Sequence, residues 1–201
     1  MRDGSLKMSG FGAALYDFDN DGWKDLFVSG GHVESLKLNG QDIDQPNAVF
    51  RNPGASGKWV RLTEEAGFAS VPAARHRGCA FGDLDGDGRI DVVVTALGQD
   101  AEIWMNRSEK SGHWLDIALQ GTKSNRDGIG ARIKVVTKNG AQYNHMTTSV
   151  GYASSSDGPV HFGLGSENRA ELVEIHWPSG IVQTLQNVSA DQILKAVEPL
   201  R

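Results

Sequence analysis

The chain has 201 residues, enough for one large domain or two small ones with a real hydrophobic core. Its 20 basic and 25 acidic residues give a formal net charge of -5, and Lys and Arg form no basic stripe, which argues against nucleic acid as a partner. The single cysteine, Cys79, precludes an intrachain disulfide, and no stretch approaches the roughly 20 apolar residues of a membrane span. The first residues, Met1 to Lys7, hold no hydrophobic segment, so the export signal of an exported protein is expected upstream of this chain. Twenty-five glycines, frequent Asn and Asp turns and few 3.6-period stretches predict an all-β protein. Gly10–Tyr16 leads into an acidic loop, Asp17-Phe-Asp19-Asn-Asp21-Gly22-Trp-Lys-Asp25, followed by a strand at 25–29 and a polar stretch to about Pro46. Two short strands, Asn47–Asn52 and Lys58–Thr63, flank a Pro-Gly turn.

A second unit repeats the first. Arg77–Gly82, in which Cys79 reads as a small core residue, leads into Asp83-Leu-Asp85-Gly-Asp87-Gly88-Arg-Ile-Asp91. Strands are expected at 89–97 and 101–106 around a turn at Gln99-Asp100, and 113–120 is read as the fourth strand. Four antiparallel strands repeating in this way predict propeller blades. Beyond them, Ala131–Thr137 and Gln142–Val150 form a hairpin about Asn139-Gly140, and Leu172–Trp177 pairs with Ile181–Leu185 about Pro178-Ser179-Gly180. With Val160–Leu164 these strands predict a small β-sandwich. Asp191–Val197 reads equally as a strand or a helical turn.

The two acidic loops hold eight of the sixteen aspartates. Carboxylates this close repel one another unless a hard dication neutralises them, and calcium takes six to eight oxygens. Side-chain ligands are expected from Asp17, Asp19 and Asp21, and from Asp83, Asp85 and Asp87. Gly22 and Gly88 permit the turn that brings the carbonyls of Trp23 and Arg89 round, and Asp25 and Asp91 would close the two shells. An EF-hand needs a glutamate at position twelve and flanking helices, but Val28 and Val94 stand there within β-branched runs. Two strand–loop–strand Ca²⁺ sites are therefore expected. The competing reading is a pair of acidic surface turns.

Residues 8–107, with the Glu64-Glu65-Ala66-Gly67-Phe68 linker, resemble the VCBS/FG-GAP calcium-binding repeat of integrin-like β-propellers. The tail resembles the ASPIC/UnbV domain, through Asn125–Arg132, Ser149-Val150-Gly151-Tyr152, His161-Phe162-Gly163-Leu164-Gly165 and Trp177-Pro178-Ser179-Gly180. The resemblance implies an all-β chain of two four-stranded blades, a partial propeller, followed by a small sandwich. Residues 1–112 would form the repeats, about 8–70 and 75–112, and residues 113–201 the tail domain. Propellers close with four to eight blades, so two blades imply the C-terminal piece of a longer propeller, or open surfaces covered by the tail domain or by another copy; truncation or self-association is the favoured expectation.

The function expected is a non-enzymatic, calcium-stabilised extracellular or cell-surface module that contacts protein or glycan. The alternatives are a metal-assisted, carbohydrate-active enzyme and a glycan-binding module with calcium as scaffold. No Ser-His-Asp order or His-rich site appears in the sequence. His161 and Trp177 are expected to serve packing, with His176 pointing outward. Trp104, Trp114 and Tyr152 are core candidates that could instead line a glycan groove. Asn106 and Asn187 begin glycosylation sequons.

Overall fold

The computed structural model describes residues 8–33, 42–62, 64–109, 111–156 and 158–200. The reading of Met1 to Lys7 lies outside these, as does Thr63. The chain is all-β, as expected. Strands β1 (Gly10–Tyr16), β2 (Asp25–Gly30), β3 (Ala48–Arg51) and β4 (Val60–Leu62) form an antiparallel sheet in chain order. Tyr16 pairs with Asp25, so the first acidic loop is the hairpin connection between β1 and β2. Strands β5 (His76–Gly82), β6 (Asp91–Ala96) and β7 (Glu102–Trp104) repeat the arrangement, and the pairing of Gly82 with Asp91 makes the second acidic loop its equivalent. Register shifts fall between Gly10 and Ala13 in β1 and between His76 and Cys79 in β5, so even the irregularity repeats.

The second sheet has three strands, which corrects the expected fourth strand at 113–120. That segment, β8 (His113–Gln120), pairs antiparallel with β11 (Val160–Gly165) and parallel with β14 (Gln192–Val197). Leu115 and Ile117 explain the choice. Both are wholly buried among sandwich side chains, and burying each contributes about 1.5–3 kcal/mol, which pairing with the three-residue β7 would forfeit. The undecided segment Asp191–Val197 is thereby resolved as strand β14. The facing sheet runs β10 (Gly140–His145), β9 (Arg132–Thr137), β12 (Arg169–His176), β13 (Val182–Ser189). Between the two sheets lie Ile133, Val135, Phe162, Leu164, Val173, Ile175 and Trp177.

A separate core joins the repeats. Phe27 and Phe81 meet edge to face at 5.6 Å, and Phe68 meets Trp104 at 4.4 Å. The first strands of the two units touch at Gly12, where any Cβ would overlap the Cys79 sulfur. Buried His76 bonds the carbonyls of Gly30 (2.8 Å) and Gln45 (3.0 Å) through Nδ1 and Glu102 Oε1 (2.9 Å) through Nε2, tying the second unit to the first.

The return strand expected to reach Val150 stops at His145. The chain then crosses back over the repeats, where Tyr152 packs edge-on against Phe11 at 5.1 Å and the Phe81 N–H donates to Ser156 Oγ at 3.0 Å. Tyr152 is half exposed and belongs to neither core. At the other end of the sandwich, buried Glu198 accepts the backbone N–H groups of Thr122, Lys123 and Ser124, each at 2.8 Å. Burial works to raise its pKa, but bonds from the Ser179 hydroxyl and these amides outweigh it and hold the carboxyl well below its usual range. Among the described residues no helix is long and apolar enough to cross a membrane.

Candidate metal centre

Each acidic loop folds around its own first aspartate. In the first, Asp17 Oδ1 accepts the Asp21 N–H at 3.0 Å and Oδ2 the Gly22 N–H at 2.8 Å. In the second, Asp83 Oδ1 accepts the N–H groups of Gly86 (2.8 Å) and Asp87 (3.1 Å), and Oδ2 that of Gly88 (2.8 Å). Gly22 and Gly88 have φ of 96° and 81°, the left-handed backbone expected of them. Trp23 N–H donates to Asp21 Oδ1 (2.8 Å) and Arg89 N–H to Asp87 Oδ1 (3.0 Å), so the fifth aspartates also match.

This folding gathers carboxylate oxygens of Asp17, Asp19 and Asp21 within 4.8 Å of one another, and likewise those of Asp83, Asp85 and Asp87. Asp25 and Asp91 stand outside these groups. Asp25 accepts the N–H groups of Phe18 (3.3 Å) and Asn52 (2.7 Å), and Asp91 those of Leu84 (2.9 Å) and Asn106 (2.7 Å). Their first visible role is to clamp each loop to the end of its third strand. A carboxylate oxygen keeps a second lone pair, so this bonding does not prevent either from reaching a cation.

The donor set fits a hard dication. Asp19 Oδ1 is buried without a hydrogen-bond partner, an arrangement that costs roughly 1–3 kcal/mol when nothing compensates it. Burial lifts the Asp17 carboxyl to about 8 and the Asp25 carboxyl to about 7, reinforced in both cases by neighbouring loop carboxylates. Burial also raises Asp21 and Asp91. Without a cation the first loop therefore resists carrying its full charge.

The loops differ in their counter-charges. Arg107 Nη1 lies 2.6 Å from Asp85 Oδ2 and 3.1 Å from Asp87 Oδ2, and the Arg89 guanidinium also pairs with Asp87. The hydrogen bond from Arg107 lowers the Asp85 pKa. The second loop thus has part of its charge balanced by the protein itself.

Sequence reasoning missed the asparagines. Asn106 Nδ2 donates to the carbonyls of Phe18 (2.7 Å) and Ile90 (3.2 Å), one in each loop, while Asn52 Nδ2 donates to the Lys24 carbonyl at 3.2 Å. The available signal was an asparagine just after the third strand of each unit. Engaged this way, the Asn106 amide lies between two loops instead of facing solvent as a sugar acceptor. Trp177 serves packing and His176 pairs with Glu174 at 2.7 Å on the outer face, both as expected. His161 is buried as expected but bonds polar partners, Asp116 at 2.7 Å and Asn20 at 2.8 Å.

Two parts of the chain match known families. Residues 17–94 match the model of the FG-GAP-like repeat, and residues 121–200 match that of ASPIC and UnbV. Cartilage acidic protein 1 of Xenopus tropicalis is 28% identical over 172 residues, 84% of this chain and 25% of that protein. Its Homo sapiens counterpart is 28% identical over 188 residues, covering 92% of this chain and 27% of the relative. The chain thus spans about a quarter of the length of the curated relatives it matches.

Proposed function

We propose that this chain, parts of which match the FG-GAP-like repeat and the ASPIC and UnbV models, is a calcium-stabilised, non-enzymatic extracellular module for adhesion, assembly or ligand binding. The carrying observation is the pair of equivalent hairpin loops, each converging three carboxylates, with the Asp19 oxygen of the first left unbonded. Asp17, Asp19 and Asp21, with the Trp23 carbonyl and Asp25, would hold one ion. Asp83, Asp85 and Asp87, with the Arg89 carbonyl and Asp91, would hold the other. In this reading residues 1–112 form the two repeats and residues 113–201 the domain that seals them.

Calcium supplies charge neutralisation and cross-linking of each hairpin. Binding only the folded loop, it stabilises the fold by RT ln(1 + [Ca²⁺]/Kd). With extracellular-type affinities of roughly 10⁻⁴–10⁻³ M, the loops fill outside cells and empty in cytosol. The relatives' name, with its reference to cartilage, accords with a matrix setting and a protein or glycan partner. The non-enzymatic reading has its own support. The Asp116–His161 pair, which has the form of an acid–base dyad, faces Asn20 and not a nucleophile.

The test is a calcium titration by calorimetry with thermal melts alongside. Two Ca²⁺ per chain and a melting temperature lowered by EGTA are expected. Superimposed melts with no heat of binding would refute the proposal.

A further inference from the structure

We propose that Asn20, Asp116 and His161 are positioning residues for the first cation loop, so that the C-terminal sandwich is part of that loop's binding site. The inference rests on the calcium reading above and deepens it.

Asn20 occupies the fourth position of the first loop, where the second loop has Gly86. Both adopt left-handed backbone, with φ of 57° and 78°. A Cβ on Gly86 would meet nothing within 4 Å, whereas the Asn20 side chain is wholly buried. Asparagine tolerates this backbone but gains nothing from it that glycine lacks, so its side chain must account for its presence.

That side chain is fully committed. Asn20 Nδ2 donates to the Gly88 carbonyl of the second loop at 2.9 Å and to Ser111 Oγ at 2.9 Å. The Gly88 carbonyl only accepts, which fixes the amide orientation and turns Oδ1 toward His161 Nε2, 2.8 Å away. His161 Nε2 therefore donates, and its Nδ1 bonds Asp116 Oδ1 at 2.7 Å. Asp116 and His161 lie opposite each other on paired strands of the sandwich. A buried polar strut thus runs from the sandwich through the first loop to the second.

Backbone contacts complete the cradle. Gly112 N–H donates to the Asp19 carbonyl at 2.9 Å, and Gly165 N–H to the Asn20 carbonyl at 2.7 Å. Gly163 sits so close to Asp17 that any Cβ there would overlap its carboxylate. The Asn20 carbonyl is held by the sandwich, and the Asp19 carbonyl by Gly112 just ahead of it, while the carboxylates of residues 17, 19 and 21 converge on one point. Positioning of this kind acts in both directions. What the strut adds to calcium affinity, calcium returns as tighter docking of the sandwich.

The experiment is calorimetric calcium titration of the full chain in an Asp85→Ala background, which silences the second loop and leaves one binding event. Adding Asn20→Gly, which keeps the left-handed backbone, is expected to weaken that event by about tenfold or more, as loss of an outer-shell partner does at metal sites. His161→Ala is expected to act similarly, and the pair together to cost little more than either alone. Calcium affinity within about twofold of the parent, with melting temperatures lowered equally in calcium and in EGTA, would overturn the proposal and leave a purely structural role. An Asn20→Gly protein that folds decides the matter even if His161→Ala does not fold. Absence of calcium uptake by the unsubstituted chain is a separate result that removes the calcium reading itself.

Discussion

Asp19→Ala is expected to lower the melting temperature of the calcium-saturated protein by about 5–10 °C and to leave the EGTA-treated protein unchanged or more stable. The magnitude follows from linkage. At about 100 times Kd one site adds roughly 2.7 kcal/mol, and a domain of this size shifts by about 2–4 °C per kcal/mol. The change of sign follows from the environment of Asp19. Its Oδ1 is buried with no partner in the protein and the carboxylate sits beside those of Asp17 and Asp21, so without calcium its removal relieves an unbonded oxygen and repulsion. Asp85→Ala should behave differently. Asp85 pairs with Arg107, so its removal costs an ion pair in EGTA as well and narrows the contrast between the two conditions. Melts of both variants with and without chelator test the asymmetry. Equal calcium-dependent losses, with both variants destabilised alike in EGTA, would show that the loops are energetically alike.

The second large effect concerns pH. The chelated protein is expected to lose stability as pH rises from about 5 to 8. Asp17 and Asp25 have folded-state pKa values raised to about 8 and about 7 from 3.8, because burial and neighbouring carboxylates disfavour their charge. A group raised on folding contributes stability that is complete below its unfolded pKa and disappears as pH climbs through the folded value. The lowered carboxyls, Asp85 and Glu198, work in the opposite sense, but their contributions change only at more acid pH. Calcium requires the ionised ligands, so the stabilisation it gives should grow across the same interval, and its uptake near pH 6 should release protons. Titrations in two buffers of different ionisation enthalpy would count them. Asp17→Asn should remove a little over half of the pH dependence of the chelated protein and leave the part carried by Asp25. A chelated melting temperature that is level or rising from pH 5 to 8, with no proton release, would contradict this account.

The loops and strands were legible in sequence because each obeys a local rule. Asp-x-Asp-x-Asp-Gly forces a tight acidic turn, and runs such as Leu26-Phe27-Val28 alternate about a sheet. What escaped was non-local. His113–Gln120 alternates acceptably for either neighbouring sheet, and only the facing partners of Leu115 and Ile117 assign it to the sandwich. Asn20 resembles a filler turn residue until His161, far away in the chain, is seen to bond it. The same distance hid Asn106, whose role requires two loops to be brought together first. Periodicity reports the faces of an element but not the polar atoms that will meet across an interface.

Cys79 supplies a built-in reporter for the opening of these repeats. Its sulfur lies beneath Gly12 where the two leading strands touch, and burial lifts its thiol to about 11. An alkylating reagent needs the thiolate, and needs access that the closed arrangement withholds. As the chain's sole sulfhydryl, it is expected to be labelled only when the strand at Gly12 or the crossing segment at Gly151 moves off it, so the modification rate would report that local opening in the unmodified protein.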